Sequence, residues 1–142
     1  MRKSKIVIFL IVVLSSFSIM SNDLYIVSNV DNPIEKLSRK DVRDIFLGKQ
    51  TRWSNNEHIM VADYNTKNKQ RKIFSRGVLK MRPFRVYKIW IRNSLSGKTT
   101  PPKYFRDHND LIDYVKHNIG AIGYLFDVKV KDQGLNYIKL DY

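Results

Sequence analysis

Asp44-Ile45-Phe46-Leu47-Gly48, followed by Trp53, and Val115 to Tyr124, closing on Ile119-Gly120-Ala121-Ile122-Gly123-Tyr124, are the stretches on which the fold turns. Each reads as an apolar helix end that runs into a glycine. Gly48 sits where a left-handed C-cap is wanted, and Gly120 is expected to stop the second helix. Ala121 to Phe126 then continues as a strand.

Working outward, Leu24 to Val30 is β-branched and aromatic and ends at Asp31-Asn32-Pro33, the pattern of a buried strand and its turn. Ser38 and Asp41 have the spacing of a capping box with Asp in place of Glu. The helix they open carries Val42, Ile45 and Phe46 on one face and Arg39, Lys40, Arg43 and Asp44 on the other. Trp53 pins the polar loop from Lys49 to Glu57, and Ile59 to Ala62 reads as a strand. Asn65 or Thr66 can cap a helix over about 67–79 that turns Ile73, Phe74 and Val78 inward. A further helix runs over about 83–95, with Pro83 in its first turn. Its broad apolar set, Phe84, Tyr87, Trp90, Ile91 and Leu95, predicts burial against more than one neighbour. Residues 96–105 read as a loop, Asp107 or Asn109 caps a short helix, and Leu135 to Leu140 is a last strand after the turn at Asp132-Gln133-Gly134. Strands alternating with helices predict an α/β fold, a small mixed sheet covered by helices.

The 142-residue chain is expected to hold one domain, residues 22–142, behind a leader. Arg2, Lys3 and Lys5 precede an apolar run from Ile6 to Leu14, and small residues follow at Ser15, Ser16, Ser18 and Ser21. This is the layout of a signal peptide over residues 1–21, cleaved after Ser18 or Ser21, and it predicts export to a bacterial periplasm. There is no cysteine, which excludes a lipid-modified cysteine, a disulfide and a thiol nucleophile.

Without Arg2, Lys3 and Lys5, the 26 basic residues fall to 23 against 13 acidic ones. The charge is segregated. Tyr64 to Arg106 contains 13 Lys and Arg and no Asp or Glu, and blocks of one sign point to anionic partners. Lys69, Lys72 and Arg76 stand at i, i+3 and i+7, as do Arg85, Lys88 and Arg92, so each set forms a stripe along a helix face. The stripes are either a solvated face or a basic patch for an anionic membrane surface, lipopolysaccharide or an acidic protein. Nucleic acid is not an expected partner, because the aromatic residues fall on the apolar side of the helices and form no stacking platform.

No catalytic pattern emerges. Gly97-Lys98-Thr99 has the tail of a phosphate-binding P-loop, but position 92 is Arg where the motif needs glycine, and a helix precedes it where the motif needs a strand. His58, His108 and His117 lack metal-ligand spacing. Asp110 and Asp113 near a helix start suit the helix dipole better than a carboxylate pair. The expectation is a protein that is not an enzyme and carries no metal and no cofactor.

The order Asn32-Pro33-Ile34, Leu37-Ser38, Ile45-Phe46-Leu47-Gly48, Trp53, then Trp90, Ser96-Gly97 and Gly120-Ala121-Ile122-Gly123-Tyr124 resembles the periplasmic substrate-binding proteins of phosphate ABC transporters (PstS-like, type II periplasmic-binding fold). The resemblance covers nearly all of the chain after the leader and implies one lobe of a two-lobed fold. It implies a non-catalytic binding component, with phosphate or another small anion as ligand and an ABC transporter or envelope protein as partner. The alternative is an interaction module that docks through the basic helices over 67–92. In such relatives an Arg-x-x-x-Ser-Gly-Thr segment holds phosphate; the corresponding positions here are Tyr64, Asn68, Lys69 and Gln70, and none matches. What remains is a helix start at Thr66, Lys67, Asn68 and Lys69, whose backbone N–H groups and positive dipole end suit an anion. A lone lobe also leaves a face uncovered. Two copies are expected to meet there as a homodimer around Trp90.

Overall fold

The computed structural model describes residues 22–32, 34 and 36–142. The leader predicted over residues 1–21 lies outside these residues. Along the chain run β1 (Leu24–Asn29), α1 (Arg39–Phe46), β2 (Met60–Tyr64), α2 (Lys69–Gly77), α3 (Pro83–Leu95), β3 (Lys103–Phe105), α4 (His108–His117), β4 (Ala121–Phe126) and β5 (Leu135–Leu140). The strands form one mixed sheet in the order β3-β2-β4-β1-β5. β2 runs parallel to β3 and β4, whereas β1 lies antiparallel between β4 and β5. The α/β expectation holds.

The two decisive stretches meet in the core. Side chains alternate across β4, so Gly123 and Tyr124 face opposite ways. On one side Leu111 of α4 comes so close to Gly123 that a Cβ there would lie 2.8 Å from its Cδ2. On the other side Tyr124 stacks on Phe74 of α2, with ring centroids 3.8 Å apart, and meets Phe46 of α1 edge-on at 5.7 Å. Helices thus cover both faces. Trp53 donates its indole N–H to the Gly120 carbonyl at 3.0 Å, and Trp90 donates to the Phe46 carbonyl at 2.9 Å. Gly48 has the left-handed φ of +68°, and a Cβ there would also press on the Trp90 ring.

The capping box at α1 is complete. The Ser38 hydroxyl accepts from the Asp41 N–H at 3.1 Å, and Asp41 Oδ2 accepts from the Ser38 N–H at 2.8 Å. The Ser38 hydroxyl and then its N–H hold the Asp41 carboxyl below the ordinary 3.8. A carboxyl depressed in the folded state adds stability that is complete above its unfolded value and is lost as pH falls through the folded value. Asp41→Asn is therefore expected to lower the melting temperature at neutral pH and to change it little near pH 2, so that the acid limb of stability between about pH 5 and 2 flattens.

Several local expectations are overturned. α2 starts at Lys69 rather than Lys67, because Asn68 takes the cap that Asn65 or Thr66 was expected to hold. Ile73 is exposed, and the inward residues of α2 are Arg71, Phe74 and Ser75. Of the five apolar residues assigned inward on α3, only Trp90 is buried; Pro83 and Val86 accompany it, while Phe84, Tyr87, Ile91 and Leu95 are exposed. The three-residue strand β3 lies within what read as a loop. Gly120 does not cap α4. The helix ends at His117 with Asn118 as C-cap, and Gly120 is needed for space, since a Cβ would sit 2.2 Å from the His58 carbonyl oxygen.

Candidate functional site

β2 and β3 deliver their carboxyl ends to one side of the sheet, and each runs directly into a helix. β2 ends on Asp63-Tyr64 and leads through Asn65–Asn68 into α2; β3 ends on Phe105 and leads into α4. The two turns are tied together, the Asn65 N–H to the Phe105 carbonyl at 3.0 Å and the Asn68 amide to the Arg106 carbonyl at 3.2 Å. Two helix N-termini therefore converge beside the end of β4. A cavity of about 500 Å³ opens there, lined by Gln70, His108, Asn109, Phe126, Asp127 and Lys129 among others. Ligands in open α/β sheets bind outside the carboxyl ends of the strands, where two positive helix ends can face an anion.

The two ends differ. Asp107 caps α4 and accepts from the Asp110 N–H at 3.1 Å, so carboxylates already occupy that terminus. The first turn of α2 has no acid. Thr66, Lys67, Asn68 and Lys69 lie together on the turn that enters α2, and Thr66, Lys67 and Lys69 are exposed. Their backbone donors are not all open. Asn65 Oδ1 accepts from the Lys67 N–H at 3.2 Å, and the Asn65 carbonyl accepts from the Asn68 N–H at 3.0 Å. The Asn68 carboxamide turns in and accepts from the N–H groups of Gln70 at 2.8 Å and Arg71 at 3.4 Å. A side-chain oxygen of the chain itself sits where an anion would take these donors.

Beneath this turn lies a buried cluster that sequence reasoning missed. Arg71 Nη1 reaches Asp63 Oδ2 at 3.2 Å, with both side chains almost fully buried. Asp63 Oδ1 accepts from the Tyr124 hydroxyl and from the Tyr64 N–H, each at 2.7 Å. Arg71 also donates to the Tyr64 carbonyl and lies 4.9 Å from the centroid of the Tyr104 ring. Burial pushes the Asp63 carboxyl up, against the charge of Arg71 and the two hydrogen bonds, which pull it down. Burial beside Asp63 likewise pushes the Tyr124 hydroxyl well above its ordinary value. Tyr64, which the resemblance set at the arginine position of the phosphate-holding segment, is buried, and its hydroxyl approaches the Tyr124 carbonyl at 3.4 Å. It points into the core and offers the cavity no charge. The only advance signal of the cluster was an Asp at a strand end followed eight residues later by an Arg on an inward helix position.

The remaining candidates scatter. The six residues of the basic stripes, Lys69, Lys72, Arg76, Arg85, Lys88 and Arg92, are all exposed. His58 contacts Arg52, His117 contacts Asp113, and His108 opens α4; among the described residues no group of three His, Cys, Asp or Glu could hold a metal. Trp90 is 3% exposed and bonded to Phe46, so it cannot form the centre of the expected dimer face.

A family model described as a PBP superfamily domain matches residues 14–136. The chain belongs to the PBP superfamily. Its PBP lobe is similar to solved structures of phosphate-binding proteins. One is a Clostridium perfringens protein described as a phosphate ABC transporter substrate-binding protein with bound phosphate, at TM-score 0.65 and 18% identity, covering 84% of this chain and 45% of that one. Another is an ABC-type phosphate transport receptor from Vibrio cholerae, at TM-score 0.61 and 21% identity, covering 84% and 46%. A third is PstS from Borrelia burgdorferi, at TM-score 0.65 and 13% identity, covering 84% and 47%. The chain thus spans about half the length of these proteins. At these identities the likeness is one of fold, and it bears out the expectation of a single periplasmic-binding-protein-like lobe. No curated protein matches in sequence.

Proposed function

We propose that this PBP lobe is an exported, non-catalytic, substrate-binding-type protein that takes phosphate or a similar small anion weakly at the start of α2. In this reading it works in the periplasm beside a phosphate ABC transporter or another envelope protein. The observation that carries the proposal is the convergence of the α2 and α4 starts at the strand carboxyl ends, in a lobe that superposes on a phosphate-bound relative. Lys67 and Lys69 supply charge, and the acid-free first turn of α2 supplies the dipole. Weakness follows from two features. One lobe leaves the anion half in water, and the Asn68 carboxamide must give up the Gln70 and Arg71 donors.

Titration calorimetry with phosphate at low and moderate salt tests this. Saturable heat that persists at moderate salt supports directed N–H donors; no heat at millimolar phosphate overturns it. A variant sharpens the test. Asn68→Gly keeps an accepted N-cap residue at a capping cost of a few tenths of a kcal/mol, gives up the amide bond to the Arg106 carbonyl, and frees both donors. It is expected to bind phosphate several-fold more tightly, and unchanged or weaker binding places the anion elsewhere.

A further inference from the structure

α3 presents two apolar faces. Pro83, Val86 and Trp90 enter the core. Phe84, Tyr87, Ile91 and Leu95, at i, i+3, i+7 and i+11, form a continuous row on the solvent side, with Phe84 at 65% and Leu95 at 86% exposure. At 1.5 Å per residue this row is about 16 Å long. Beside it runs the row of Arg85, Lys88 and Arg92, and Lys88 Nζ stands 5.5 Å over the Phe84 ring. A cavity of about 740 Å³ opens where the basic row meets Met81 and Ile89. No acid occurs between Tyr64 and Arg106, and among the described residues no ion pair reaches the basic row.

We infer that α3 docks flat on a bilayer surface containing anionic lipid. An apolar row flanked by cations is the surface of an interfacial helix, whose apolar side chains enter the headgroup boundary while Lys and Arg meet lipid phosphates. Charge selects this occupant. A second copy of the chain would set the basic row against itself. The inference is independent of phosphate binding at α2.

The test is co-sedimentation of the full chain and its variants with vesicles of phosphatidylcholine alone or with added phosphatidylglycerol. The unaltered α3 is expected to bind the anionic vesicles at least tenfold more tightly than the neutral ones, and less tightly as salt rises. Phe84→Ser with Leu95→Ser should weaken anionic-vesicle binding by about tenfold or more; both sites are exposed, so the fold is retained. Arg85→Gln, Lys88→Gln and Arg92→Gln together should abolish the preference for anionic vesicles. Because every variant carries the same N-terminal residues, the differences report α3 alone. Equal binding by the Phe84/Leu95 variant overturns the inference in favour of simple adsorption of a basic protein. Binding to polyglutamate but not to vesicles assigns the face to an acidic protein instead. A dimer that the Phe84/Leu95 variant dissolves assigns it to a second copy.

Discussion

Arg71→Ala is expected to lower folding stability by about 3–5 kcal/mol, the usual cost of removing one partner from a buried ion pair. The change strips Asp63 of its cationic partner while leaving its carboxyl enclosed. It also leaves the Tyr64 carbonyl without the guanidinium that it accepts from. Chemical denaturation should show the loss as a lower midpoint with an unchanged slope. Replacing both partners by apolar residues of similar volume, Asp63→Leu with Arg71→Met, should cost clearly less than Arg71→Ala alone, because neither charge is then left unpaired. A double variant as damaged as the sum of its single changes would show that the pair is not energetically coupled.

Gly120→Ala is expected to cost about 3 kcal/mol or more, at the upper end of what one added methyl does. The new Cβ would lie 2.2 Å from the His58 carbonyl oxygen, a backbone atom with no rotamer through which to escape. Gly120 cannot retreat either. Its carbonyl accepts from the Met60 N–H at 2.9 Å and from the Trp53 indole at 3.0 Å, so relief of the clash pulls on β2 and the Trp53 loop together. Thermal melting of the variant is the direct check, and a melt within a degree or two of the parent would mean that the loop carrying His58 is softer than its bonding implies. Gly97→Ala serves as a contrast: it meets no neighbouring atom within 4 Å, and its strain comes from φ alone.

Most element bounds were legible because their punctuation is local. Ser38, Gly48, Pro83, Asp107 and Asp132-Gln133-Gly134 each act within a few residues, and α3 runs over the residues read for it. Orientation was not legible on α3, since Pro83, Val86 and Trp90 compete with Phe84, Tyr87, Ile91 and Leu95, and periodicity cannot choose between two apolar rows. At the entrance to α2, Asn65, Thr66 and Asn68 are all able to cap, and the choice rests on the tertiary bond from Asn68 to Arg106. Arg71 was hidden among 13 cations, since nothing in its immediate neighbours marks it as the buried one. β3 is only three residues long and partly exposed, so it exists by virtue of pairing with β2.

The place of β1 in the sheet has a kinetic consequence. Leu24 pairs with Phe126 on one side and Leu140 on the other, so this early strand finds its neighbours only after about a hundred further residues have been made. Such distant pairings slow folding, because the entropy of closing the loop is lost before any contact repays it. A nascent chain emerging from the ribosome therefore carries Leu24–Asn29 as an unpaired strand for most of its synthesis, open to chaperones. Refolding of the finished chain should be limited by the moment β4 and β5 close around β1.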